Sequence, residues 1–173
     1  ICGGIIADYE GDTSWLTELP ELLQDNRLEV MGSADDDDDA AHRIVGTSLS
    51  MLNDSLASAV FTVLGLCPED VPIPMEAVAL IWTSCLPDHA NKAKGMTVRK
   101  VCKKLRDRNL LQGSTAEGVH MHDIVRDYTR DRLIGSEDAV RDQQRCIVKA
   151  IIDATPDKDW RDATPIGRYV RES

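Results

Sequence analysis

Apolar residues between Ser48 and Ile134 fall at spacings regular enough to divide the chain into elements. Leu49, Leu52, Leu56, Val60, Val63 and Leu64 recur at three- and four-residue steps, which predicts one amphipathic helix closing at Gly65. "CPEDVPIP" is turn chemistry, and Pro74 suits the first position of a second helix with Val78, Ile81, Trp82 and Cys85 on one face. "LPDHANKAKG" reads as a polar loop. "MTVRKVCKKLRDRNLL" then predicts a third helix, with Val98, Val101, Cys102 and Leu105 on one side and basic residues on the other. Two strand-like runs follow, Leu110 to Gln112 and Val119 to His122, around a Gly/Ser/Thr-rich connection. Three helices and a small β-hairpin predict a mainly α fold built on a winged helix over residues 48–134, flanked by helical segments.

The flanks are patterned differently. Ser14 suits the N-cap of "WLTELPELL", where Trp15, Leu16, Leu19 and Leu23 have helical spacing and Pro20 weakens the run. "SADDDDDAAH" follows. Its five consecutive Asp repel one another and offer nothing to bury, so residues 33–47 are read as a solvated acidic linker, with 1–32 as a separate upstream piece. Beyond Gly135, Ser136 is an N-cap with acids in the first turn after it, and Val140, Ile147 and Ile151 form a stripe that needs a partner. Residues 135–173 are read as a helical linker, without a visible repeat period.

Composition narrows what such a fold can do. A chain of 173 residues, 42% hydrophobic, can bury one core and a small second one, but not a large catalytic domain. A formal charge of -10 argues against general affinity for nucleic acid or anionic lipid, both polyanions. The five cysteines form no CxxC pair and leave an odd one out, which fits a reducing compartment and an intracellular, cytoplasmic protein. No apolar run reaches the roughly 18 residues of a membrane span, and the first residues lack the basic and apolar regions of a signal peptide. The sequence starts on "ICGG" without Met and is expected to be a piece of something longer.

The candidate chemistry lies in "VHMHDIVRDY", Val119 to Tyr128. Period-two alternation puts Val119 and Met121 on the core face and His120 and His122 on the other. His122 falls at the rim where strand gives way to helix. Asp123 is expected as the N-cap, its carboxylate accepting from the amides of Val125 or Arg126, with Ile124, Val125 and Tyr128 inward. The two histidines begin a metal pattern that no third or fourth ligand completes. A rival reading starts from residues 92–108, where eight cations stand against Asp107 alone, and would lay the third helix in a DNA major groove. The acidic remainder, and the scarcity of Asn, Gln and Ser on that helix for reading bases, weigh against it.

"VHMHDIVRDY" resembles the MHD segment of the NB-ARC family of STAND switch ATPases, with Met121, His122 and Asp123 as its three letters. "FTVLGLCPEDVPIPMEAVALIW", Phe61 to Trp82, is similar to the leucine-rich helix, Pro-Glu-Asp turn and Leu-Trp helix end of that family, and "ICGG" to the start of its GLPL motif, with Ile6 where the family has Pro. The resemblance implies the end of a GLPL-bearing helical subdomain at 1–32 and a winged helix that closes over ADP at 48–134. His122 would contact the β-phosphate and Asp123 would support it, with ADP or ATP as cofactor. It also implies an upstream P-loop domain and a downstream sensor or repeat region as partners, and homo-oligomerisation when activated. The sequence has no GxxxxGK[ST] and no acidic pair for Mg²⁺, so no catalytic residues are expected in it.

Overall fold

The computed structural model describes residues 37–68, 71–155 and 164–172, with backbone alone at 37–41 and 171–172. The "ICGG" motif and the segment from Ser14 to Leu23 lie outside the described residues, as do Glu69 and Asp70 of the turn. The described chain is mainly helical. Seven α-helices run in the order α1 (Asp37–Ser50), α2 (Ser55–Leu64), α3 (Met75–Cys85), α4 (Gly95–Asp107), α5 (Asp123–Tyr128), α6 (Glu137–Ala154) and α7 (Pro165–Glu172). Between α4 and α5 stands a two-stranded antiparallel sheet of β1 (Gln112–Ser114) and β2 (Gly118–His120). No helix among these residues is long and apolar enough to cross a membrane.

The first predicted helix is two. At Asn53 the backbone turns left-handed (φ 43°), and Asp54 caps a new helix by accepting from the amides of Leu56 at 3.1 Å and Ala57 at 3.0 Å. Leu52 is buried in the turn, so the apolar period runs on while the backbone breaks. The linker expected over 33–47 is also helix from Asp37 onward. Acids at a helix N-terminus are favoured by its dipole, and the later turns are held by burial, with Val45, Thr47 and Ser48 fully enclosed. Helix α1 packs against α5, close enough that a Cβ on Gly46 would meet Tyr128 Oη at 2.9 Å.

The core centres on α3. Trp82, Phe61, Ile81, Leu105 and Leu110 are sealed there, and the Trp82 indole N–H donates to the His89 carbonyl at 3.0 Å. That bond anchors residues Pro87–Lys92, read above as loop, as a 3-10 helix. Helix α4 keeps its predicted face, with Val98, Val101, Cys102 and Leu105 buried. The strands lie nearer the turn than expected, β1 starting two residues later and β2 one residue earlier, with Leu110 and Leu111 buried in the core. In the register Gln112 faces His120, Gly113 faces Val119 and Ser114 faces Gly118. Ile73, just before α3, adds a third rung: its N–H donates to Val119 O at 2.7 Å and Val119 N–H returns at 2.9 Å.

After α5 the chain makes a π-helical turn (Thr129–Ile134) that ends at Gly135, left-handed at φ 69°. Ser136 then caps α6 through the Ala139 amide at 3.1 Å. The sequence left the apolar stripe of α6 in need of a partner. The stripe of α6 already has one: it lies along α3, with Ile147 buried and Val140 and Ile151 packed on the same core. Tyr169 of α7 enters that core too, 2% exposed.

Candidate functional site

The segment from Val119 to Asp123 is fixed from both sides. Val119 is held between β1 and Ile73, and Met121 is buried, its sulfur 3.9 Å from the Thr129 hydroxyl, which donates to the Val125 carbonyl at 3.0 Å. With Val119 and Met121 inward, His122 is left on the surface with its side chain about half exposed (55%). The alternation of the sequence is enough to place it there.

Helix α5 starts one residue earlier in the capping scheme than expected. His122 itself is the N-cap, with φ -65° and ψ 147°, and its carbonyl accepts from the Arg126 amide at 3.0 Å. Asp123 is therefore the first helical residue, and the Arg126 amide goes to the His122 carbonyl and not to the Asp123 carboxylate. It accepts instead from Ile124 N–H at 2.7 Å and contacts His122 Nδ1. A carboxylate on the first turn also complements the helix dipole. Ile124, expected inward, is 39% exposed, because the core side of this short helix is taken by Val125 and Tyr128.

The contact with Asp123 sets the chemistry of the imidazole. A carboxylate accepts a proton, so Nδ1 is the protonated nitrogen and Nε2 is left to act outward. Among the described residues Nε2 has no hydrogen-bond partner. In the neutral ring Nε2 is an acceptor; in the cation it becomes a charged donor, suited to an anionic oxygen. His122 and Asp123 thus work as one unit, an imidazole held in orientation by its neighbour.

His120 is not part of that unit. Its Nε2 lies 3.2 Å from Gln112 Oε1 across the hairpin, which ties the ring to β1. Among the described residues no group of three or more His, Cys, Asp or Glu is placed to hold a metal ion. The basic face of α4 is partly engaged within the molecule. Lys104 pairs with Asp54 at 3.0 Å, Lys103 with Asp107 at 2.5 Å, and Arg108 reaches the Met51 carbonyl at 3.4 Å, while Arg99 and Lys100 stay exposed.

Two recesses were not foreseen from the sequence. One, of about 430 Å³, runs between α6, α7 and the end of α2, lined by Cys67, Ile147, Val148, Ile151, Tyr169 and Val170. The other, of about 580 Å³, lies at the junction of the π turn and α6, beside Arg130, Ser136, Glu137 and Arg141. Neither includes His122 or Asp123. No local pattern announces them, since each needs two elements brought together in space. No protein-family model, curated protein or solved structure matches the chain.

Proposed function

We propose that this chain is the winged-helix part of a nucleotide-dependent signalling switch of NB-ARC type, and that His122 helps to hold the closed, ADP-bound state. The order α2, Ile73 rung, α3, α4, β1, β2 supports the winged-helix reading, in which residues 115–117 would form the tip of the wing. The observation that carries the reading is the His122–Asp123 unit: an exposed imidazole at a helix N-terminus, oriented by the adjacent carboxylate and with its second nitrogen free for a ligand among the described residues. In the closed state Nε2 donates to a β-phosphate oxygen and Asp123 maintains the ring's orientation. The nucleotide is cradled by a P-loop domain upstream, and these residues perform no catalysis. A downstream sensor releases the winged helix, and the opened protein self-associates in the cytoplasm.

Against the DNA-reading alternative stands the net charge of -10, and Lys104 and Arg108 of the basic stretch are drawn to Asp54 and the Met51 carbonyl. The switch reading is tested in a longer chain that carries the P-loop domain. A hydrogen bond to a charged group contributes roughly 1.5–3 kcal/mol, so His122→Ala should speed ADP release by about one to two orders of magnitude. Equal ADP off-rates in the two proteins would reduce His122 to an ordinary surface histidine.

A further inference from the structure

Helices α3 and α6 bring together two thiols that the switch reading does not use. Cys85 ends α3 and is 7% exposed. Cys146 sits on α6 at the edge of the same interface, half-buried, with its Sγ donating to the Ser84 carbonyl at 3.5 Å. That contact places Cys146 beside Cys85, the residue that follows Ser84 in α3. Neither is cross-linked here. Burial foremost, and then the neighbouring Cys146, push the Cys85 thiol well above the ordinary thiol range. Cys85 is thus the poor nucleophile of the pair, and the more accessible Cys146 is the one placed to react first.

The geometry points to a reversible disulfide between Cys146 and Cys85, formed by a hydroperoxide, that staples α6 to α3. The Cys146 thiolate attacks a peroxide oxygen; the O–O bond breaks, leaving a sulfenic acid and, after protonation, water when the oxidant is hydrogen peroxide. The Cys85 sulfur then attacks the Cys146 sulfur, the S–O bond breaks, and the departing hydroxide takes the Cys85 proton as a second water. Two thiols are oxidised and one peroxide is reduced. A thiol reductant reverses the step by exchange. The helix leading away from the hairpin unit would then be fixed covalently to the core helix it covers, and any motion of α6 against α3 would stop.

The test uses the whole chain, treated with hydrogen peroxide in its folded state and mapped by mass spectrometry without reduction. The expected result is a cross-linked peptide joining Cys85 and Cys146 that a thiol reductant removes. The melting temperature should rise on the order of 5 °C, because the bond closes a long loop. Cys146→Ser should abolish both effects, and Cys102→Ser, at a buried thiol outside the pair, should leave them in place. Cys85→Ser should leave Cys146 as a sulfenic acid that dimedone captures, which keeps the inference testable even if the bridged form is strained. Over-oxidation of Cys146 without a bridge in the parent protein, or a bridge to another cysteine or between two chains, would overturn it.

Discussion

Asp54 shows how much one side chain decides. It caps α2 through two amides and binds Lys104 of α4 with its other oxygen, so it fixes both where α2 begins and how α4 lies beside it. The Ala57 amide foremost, with Lys104 and the Leu56 amide, holds its carboxyl below the ordinary 3.8, outweighing partial burial. The folded state therefore favours the ionised form. Its stabilisation is fully present above the unfolded-state pKa, about 4, and fades as the pH falls through the lower folded value. Asp54→Ala should cost about 1 kcal/mol at neutral pH, the usual loss for an N-cap. Urea denaturation of parent and variant at pH 7 and near pH 3 checks this, the gap being expected to shrink in acid; a constant gap would mean that the carboxylate's charge contributes nothing. The apolar period from Leu49 to Leu64 runs straight across the break at Asn53, which is why one helix was expected there. The period reports burial, not backbone continuity, and Leu52 is buried within the turn itself.

Between elements, close approach is the deciding quantity. Gly65 ends α2 with ordinary helical angles (φ -64°), so it is not chosen for backbone freedom. It is there because a Cβ would lie 2.6 Å from Thr129 Cγ2 and 2.7 Å from its Cβ. Thr129 is completely buried and hydrogen-bonded to Val125, and cannot yield. Gly65→Ala should therefore destabilise by about 1–3 kcal/mol through overpacking. Thr129→Ser, which removes Cγ2, should recover part of that loss in the double variant, as read from denaturation midpoints. Additive losses would show that the two residues do not press on each other. The sequence marks Gly65 as a helix end, which is correct, but the second helix surface that demands glycine there lies far along the chain. The hairpin glycines are different: Gly113 and Gly118 are left-handed (φ 90° and 104°), and a Cβ on Gly113 would fall 2.2 Å from the Gly118 carbonyl oxygen.

At the scale of the molecule, the boundary expected after Ile134 does not divide the packing. Ile147 and Tyr169 are buried in the cluster that contains Trp82 and Leu105. A chain ended at Gly135 would uncover the face of α3 that α6 and α7 now shield. Loss of Ile147 burial alone removes about 1.5–3 kcal/mol. The truncated chain should unfold at clearly lower urea concentration than the full chain and bind a hydrophobic dye while still folded. An unchanged midpoint would restore α6 and α7 to the status of a linker. In the switch reading this matters, because a downstream sensor would pull on helices that belong to the core, not on a tether.

Local chemistry in the sequence was enough to anticipate the apolar faces of α3, α4 and α6 and the Ser136 cap of α6, whereas Pro74, expected as the first residue of α3, is its N-cap. It also anticipated Val119 and Met121 inward and His122 outward, although β2 itself ends at His120. The break at Asn53, the helix that starts within the Asp run, the outward turn of Ile124 and the partner of the α6 stripe were decided only by tertiary structure. Each depends on which surface arrives opposite, and those surfaces come from residues many turns away. The same holds within the site: whether Asp123 grips backbone amides or an imidazole depends on which residue becomes the N-cap. The buried anchors Met121 and Val125 on either side of it decide that.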